Sequence, residues 1–263
     1  MLALGAIAGW AYPTMSGATG LVTLPTAEVV PQGVVDIAVD YQDNVGEAIE
    51  MYDTEDVQIM PIRATIGVAE SLEVWGGYTL VKVEDWDDAK LWNVGGKYQI
   101  MSEAAGDDVS VAVGGSFGKF DNDIEVDVTN AFLVASKDIS TSVAPNQPIG
   151  ATAHLGVIWI DLEDTDIDES LTEPFIGLEI FGEKGASLVV EYRFKDDSLD
   201  DSAPFSAALR YPIGESPLMI QVGTTNAAFA GIGADDNEFF VGLCYTLGEP
   251  AAMGSGGGHS WGY

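Results

Sequence analysis

Apolar and polar residues alternate along about twelve segments of this chain, each roughly ten residues long. In the first segment, Val34–Gln42, the odd-numbered positions from 35 to 41 are apolar or aromatic, whereas the even-numbered positions include Asp36 and Asp40. Successive residues of a β-strand point to opposite faces. The alternation therefore predicts a series of strands, each with one apolar face.

The segments are separated by turn-forming residues, which allows each predicted strand to be delimited. The predicted strands are Val34–Gln42, Ile59–Ala69, Leu72–Val83, Lys90–Met101, Val109–Lys119, Val126–Lys137, Ile149–Ile160, Glu173–Gly182, Ala186–Lys195, Pro204–Ile213, Pro217–Thr225 and Glu238–Leu247.

The connections between these strands differ in length and charge. Those after even-numbered strands are mostly short, as at Ala69–Ser71 and Gly214–Ser216, although Asp138–Gln147 is longer. Those after odd-numbered strands are mostly longer and rich in Asp and Glu, as in Asp43–Asp56 and Asp161–Thr172. In an antiparallel meander all odd-numbered connections emerge at one end, so the acidic residues are expected at one rim.

Short turns at one rim and longer loops at the other are typical of transmembrane β-barrels. The sequence therefore predicts an all-β fold, an antiparallel up-and-down transmembrane β-barrel of about twelve strands. A soluble sandwich or barrel would also alternate, but the apolar parity keeps its aromatic residues along nearly all strands. These are Tyr41, Tyr78, Trp92, Tyr98, Trp159, Tyr192, Tyr211 and Tyr245.

The opposite parity, which would face the barrel interior, is rich in small residues and carries scattered charges. If the lumen is open, the charged residues predicted to line it are Asp36, Asp40, Arg63, Glu73, Lys97, Glu191, Arg193 and Arg210.

Composition limits the partners of such a barrel. The 263 residues carry a formal net charge of −32, with only 10 Lys and Arg. Nucleic acid is therefore not expected as a partner, because phosphate binding needs clustered basic residues. The single cysteine, Cys244, excludes an intrachain disulfide.

The chain divides into four predicted parts. Residues 1–11 are a signal-peptide remnant or an apolar N-terminus, and residues 12–33 are a lead-in segment that either folds into the lumen as a plug or forms an ordinary loop. The β-barrel follows over residues 34–247. Residues 248–263 are a glycine-rich tail, which is predicted to be flexible.

The lead-in segment carries a motif built from Gly20, Leu21, Pro25, Thr26 and Ala27, followed by a turn with Pro31 and Gly33. This opening resembles that of the YjbH-type outer-membrane β-barrel proteins, which are associated with exopolysaccharide production. The likeness extends over about the first 80 residues. The resemblance implies a bacterial outer-membrane location with periplasmic termini, and a role with envelope polysaccharide.

Metal binding and catalysis receive little support. Asp164, Asp166 and Asp168 have the alternate-residue spacing of a calcium loop, but Glu169 replaces the expected glycine, so only weak Ca²⁺ binding is predicted. His154 is expected to be a hydrogen-bonded lumen residue, because no nucleophile elbow or phosphate loop accompanies it. The chain is predicted not to be an enzyme.

Two functions remain open at this level. The first is a pore or accessory protein for envelope polysaccharide or small solutes, embedded in outer-membrane lipid and carrying an acidic extracellular rim. The second is a structural or adhesive barrel with a packed lumen, whose acidic loops bind calcium or an envelope protein.

Overall fold

The computed structural model describes residues 12–42, 57–83, 88–121, 125–140, 149–163, 168–182, 185–195, 202–214, 216–227 and 233–248. The predicted parts 1–11 and 249–263 lie outside these ranges, as do Asp164 and Asp166. Within the described residues, no helix has the length and hydrophobicity needed to cross a membrane.

Twelve β-strands form one closed barrel in which every strand pairs antiparallel with its neighbours in sequence. A turn of 3-10 helix at Glu103–Ala105 lies between the fourth and fifth strands. The strands are β1 Val35–Gln42, β2 Val57–Ala69, β3 Leu72–Val83, β4 Ala89–Met101, β5 Ser110–Asp121, β6 Glu125–Asp138, β7 Gly150–Glu163, β8 Asp168–Phe181, β9 Ser187–Arg193, β10 Phe205–Pro212, β11 Leu218–Ala227 and β12 Gly233–Leu247. The predicted fold class is confirmed.

The barrel closes where β1 pairs with β12, from Val35 opposite Leu247 to Gln42 opposite Phe240. Because the sheet has no free edge, its main-chain groups are paired all the way round, as a bilayer requires. The predicted apolar parity faces outward. All eight aromatic side chains named above are exposed on this outer surface, together with large aliphatic residues such as Leu155 and Leu209.

Two strands begin earlier than their apolar pattern indicates. β8 starts at Asp168 instead of Glu173, and β12 starts at Gly233 instead of Glu238. At the first of these, Glu163 pairs directly with Asp168. Strand pairing uses main-chain bonds, so an acidic hairpin can continue beyond the apolar wall, and polarity alone did not mark its end.

Four aromatic side chains inside the barrel each lie over a glycine of the neighbouring strand. Each ring is directly opposite its glycine in the register, and an added Cβ at that glycine would meet the ring at 2.2–2.7 Å. The pairs are Trp75 with Gly95, Phe132 with Gly114, Phe175 with Gly156, and Phe240 with Gly223. These glycines leave the room that allows large rings to lie along the inner wall.

We predict that Gly156→Ala destabilises the barrel by about 1–3 kcal/mol through overpacking. The new Cβ would lie 2.3 Å from the Phe175 ring and 2.7 Å from the Leu133 carbonyl oxygen. Urea unfolding of protein refolded in lipid vesicles measures the loss. Gly76→Ala is the matched control, since its nearest neighbour would be 3.8 Å away. Equal unfolding midpoints for the two variants would contradict the prediction.

Candidate functional site in the barrel lumen

The lumen is occupied by the chain's own residues 12–33, here called the plug. The plug folds back on itself through main-chain hydrogen bonds, from Thr14 N to Ala18 O at 2.7 Å and from Met15 N to Val22 O at 2.9 Å. Most of its residues are buried. The lead-in segment therefore lies inside the barrel, the plug alternative of the two that the sequence left open.

Glycines allow the plug its tight path. Gly17 has a φ of 109° and Gly33 a φ of 84°, values that side chains disfavour. Gly17 also lies against Trp75, and an added Cβ would be 2.4 Å from that ring. At Gly20 an added Cβ would be 2.3 Å from the Leu24 carbonyl oxygen. These positions explain why the motif needs glycine.

The plug leaves the lumen at the rim that carries the short connections. Gln32 forms a parallel bridge with Gly67 near the end of β2, and Gly33 N donates to Gly67 O at 2.9 Å. A side chain at Gly67 would collide with the plug, 2.2 Å from the Pro31 carbonyl oxygen. Since both Val35 and Leu247 end at the same rim, the plug enters from the side of the chain termini.

Glu73 on β3 is a buried acceptor for two separate stretches of the plug. Its carboxylate accepts Thr19 N at 2.8 Å, the Thr19 hydroxyl at 2.6 Å and Val30 N at 2.8 Å. Lys97 on β4 lies 3.1 Å from the same carboxylate and donates to Thr19 O at 2.8 Å. The pair thus satisfies both a donor and an acceptor of the plug main chain.

Glu191 on β9 holds the middle of the plug. Its carboxylate accepts three successive main-chain N–H groups, from Val22 at 3.0 Å, Thr23 at 2.9 Å and Leu24 at 3.2 Å. The Thr23 hydroxyl donates to it at 2.5 Å. Hydrogen bonds to an ionised carboxylate are stronger than neutral ones, so Glu191 is a main anchor of the plug.

Two arginines bind the plug from the opposite polarity. Arg63 Nη2 donates to Pro13 O at 3.0 Å, and Arg210 Nη2 donates to Gly20 O at 3.1 Å and Leu21 O at 2.6 Å. Neutral side chains add further bonds of the same kind. They are Thr65 to Gly17 O, Asn93 to Ser16 O, Gln99 to Ala27 O, and Ala27 N to Ser136.

The charged wall residues also pair with one another. Each pair joins neighbouring strands or strands held together by the plug, and its members are buried or nearly so. The pairs are Asp40 with Arg63, Glu73 with Lys97, Glu173 with Arg193, and Glu179 with Arg210 at 3.5 Å.

Apolar contacts complete the fit. Leu21 lies over Gly177 of β8, whose added Cβ would be 2.2 Å from Leu21 Cδ1. Tyr12 donates to Asp40 at 3.2 Å, and its ring lies 4.6 Å from the Arg210 guanidinium carbon. The lumen is thus filled by a segment that matches its wall in both shape and polarity.

All eight predicted lumen residues are buried inside the barrel. Arg63, Glu73, Lys97, Glu191 and Arg210 contact the plug main chain, and Asp40 contacts the Tyr12 side chain. Asp36 instead accepts the Thr246 hydroxyl, and Arg193 pairs with Glu173. In this structure the set surrounds a plug, whereas the sequence analysis treated it as the lining of an open lumen.

The motif residues lie in two places. Five are buried within the plug, namely Gly20, Leu21, Pro25, Thr26 and Ala27, and two are exposed at the rim, namely Pro31 and Gly33. The sequence analysis missed Ser136 and Glu173 as lumen residues, although their position on the inward parity was the available signal.

The remaining candidates support neither a metal centre nor a reaction. Among the described residues, no group of three or more His, Cys, Asp or Glu side chains could hold a metal ion, and Asp168 is the first residue of β8. Ser136 Oγ lies 2.8 Å from His154 Nδ1, but the hydroxyl is fully buried and bonded to Ala27 N and Glu28. This pair anchors the plug.

Comparison with known proteins identifies the fold. No protein-family model and no curated protein matches the chain. Among solved structures, the KdgM porin has a TM-score of 0.52 at 10% identity, over 82% of this chain and 99% of that chain. The KdgM porin in complex with disordered oligogalacturonate has a TM-score of 0.52 at 11% identity, over 82% and 99%. The chain has the barrel fold of bacterial outer-membrane proteins.

Other outer-membrane barrels are similar at lower scores. The β domain of the Bordetella autotransporter BrkA has a TM-score of 0.47 at 12% identity, over 82% of this chain and 99% of that chain.

We predict that Glu191→Gln loosens the plug. The amide replaces one acceptor oxygen with a donor that faces three N–H groups, which costs about 1–3 kcal/mol. Hydrogen exchange at Val22–Leu24 should accelerate by on the order of tenfold or more. Glu125→Gln is the matched control, because Glu125 is exposed and pairs with Lys119. Unchanged exchange in Glu191→Gln would contradict the anchoring role.

Proposed function

We propose that this protein is a pore of the bacterial outer membrane that its own plug holds closed, and that solutes pass when the plug withdraws. One observation carries the proposal. The wall residues that bind the plug are charged and buried, and many of their bonds go to plug main-chain atoms.

The energetic argument rests on the cost of burying charge. A barrel filled permanently could use neutral or apolar wall residues, which often serve stability as well as buried ion pairs do. Charged residues suit a wall with two states, because they bond to the plug in the closed state and to water in the open state. The inner wall of a water-filled outer-membrane barrel is polar in the same way.

The charge of the wall bears on what would pass. The inward carboxylates of Asp36, Asp40, Glu73, Glu173, Glu179 and Glu191 outnumber the cations of Arg63, Lys97, Arg193 and Arg210. An opened lumen should therefore favour cations and neutral solutes. Oligogalacturonate, which KdgM binds, is anionic, so this chain would need a neutral or cationic substrate instead. A neutral stretch of envelope polysaccharide meets that condition.

The proposed orientation follows from the topology. With the termini in the periplasm, the plug enters from the periplasmic side and the acidic connections form an extracellular rim. The apolar outer wall contacts outer-membrane lipid. We propose no catalytic step, since the Ser136–His154 pair is bonded to the plug.

A second candidate is a structural or adhesive barrel whose lumen stays packed. The four ion pairs favour it, because they leave the wall charges matched without water. In that case the acidic loops, through calcium or an envelope protein, would carry the function. Loss of assembly or of thermal stability on chelation would support this candidate.

The deciding experiment locks the plug with a disulfide and measures conductance in planar bilayers. Leu21 Cγ lies 3.5 Å from an ideal Cβ at Gly177, so Leu21→Cys with Gly177→Cys brings the sulfurs within bonding reach. The pair is introduced with Cys244→Ala, which removes the native thiol, and with Glu191→Gln, which loosens the plug.

We expect the oxidised protein to be silent and the reduced protein to show single-channel openings. Glu191→Gln alone should open more often than the unmodified chain, and Glu125→Gln should not. If folded, heat-modifiable barrels stay silent after reduction in the Glu191→Gln background, the gated pore is wrong and the packed barrel is favoured.

In the opened channel, cation selectivity should follow the inward carboxylates. Asp36→Lys should shift the reversal potential in a salt gradient toward anion permeability, because it replaces an acid in the wall by a base. An unchanged reversal potential would show that Asp36 does not line the open pathway.

A further inference from the structure

The wall of the lumen recognises the plug mainly through atoms that every polypeptide has. Glu73 and Glu191 accept plug N–H groups, while Arg63, Lys97 and Arg210 donate to plug carbonyl groups. Side-chain bonds are fewer, such as those from the Thr19 and Thr23 hydroxyls. The wall therefore reads a main chain more than a particular sequence.

The plug is chemically unusual for this protein. Residues 12–27 contain no charged side chain, although 20% of the whole chain is charged. An uncharged segment leaves the wall charges free to bond to main-chain groups, whereas a Lys or Glu in the plug would compete for them. The site thus selects a polypeptide without charge.

Missing side chains in the wall provide the space for a main chain. Added Cβ atoms would meet Pro31 O at Gly67, Leu21 at Gly177, and the Tyr12 hydroxyl at Gly242. Close approach of a backbone is a common reason for glycine within a strand. Three such glycines, on β2, β8 and β12, make the lumen a groove shaped for a polypeptide.

We propose that the lumen is a binding site for an uncharged, glycine-containing polypeptide segment, and that such a segment from a second polypeptide binds there when the plug withdraws. The inference rests on the gated pore proposed above, because the site is accessible only after withdrawal. Main-chain recognition is also how sheet edges capture foreign strands, with pockets for a few side chains adding selectivity. Here the space over Gly177 that Leu21 fills is such a pocket.

The plug competes with any added segment, because its tether gives it a high effective concentration. A variant that unseats the plug without altering the wall is therefore needed. Gly20→Val serves this purpose, since its Cβ would lie 2.3 Å from the Leu24 carbonyl oxygen within the plug itself. The wall residues that bind the plug remain as they are.

The experiment adds a synthetic peptide of residues 12–33 to full-length Gly20→Val channels in a planar bilayer, from the side of the chain termini. We expect Gly20→Val to conduct and the peptide to block the current. Adding Glu191→Gln should raise the half-blocking concentration by on the order of tenfold. A peptide that itself carries Gly20→Val should not block, and Glu125→Gln should leave the block unchanged.

The outcomes separate this inference from the pore itself. If folded Gly20→Val barrels do not conduct, the gated pore fails, and binding of the fluorescent peptide to the same barrels in detergent still tests the site. If they conduct but the peptide neither blocks nor binds, the polypeptide site is wrong and the pore stands. Block by a neutral oligosaccharide such as maltohexaose, without block by the peptide, would overturn the inference in favour of a sugar site.

Discussion

The structure depends on one constraint: the main-chain polar groups of a segment buried inside a barrel must find partners away from water. An unpaired buried N–H or C=O group is costly. The barrel strands meet this requirement among themselves by closing into a ring. The plug cannot join that ring beyond its bridge to Gly67, so the inner wall must supply its partners. Glu73, Glu191 and Arg210 do so, and their burial is acceptable because the plug provides hydrogen bonds in return.

Charge and space are used together in the wall. Glutamates and basic residues face the plug where its main chain turns toward them, and glycines occur where it comes closest. The same use of glycine appears in the wall itself, where four aromatic rings lie over glycines of adjacent strands. Large rings and a plug fit inside one twelve-stranded barrel because small residues occupy the facing positions. Filling and wall are therefore complementary, and a change on one side is felt on the other.

Much of the barrel could be predicted from local pattern. Alternation along each strand depends only on the period of two in β-structure, so β1 through β12 were found with their order and facing. The ends were less accessible, as at β8 and β12, because pairing continues where hydrophobicity stops. The inward parity also located Arg63, Glu73, Lys97 and Glu191. Their partners remained unknown, because a residue's parity says which way it points and nothing about what it meets.

The sequence by itself determined the strand order, the two faces of the wall, the acid excess and the unusual uncharged, glycine-containing lead-in, since each is a property of neighbours along the chain. Only the tertiary structure decided that this lead-in fills the lumen. Glu191 lies far along the chain from Val22, and Arg210 farther still from Gly20, and only closure of the barrel brings them together. Whether a charged inward residue faces water or a buried main chain depends on what occupies the centre of the ring. That is a property of the assembled barrel, which no single strand contains.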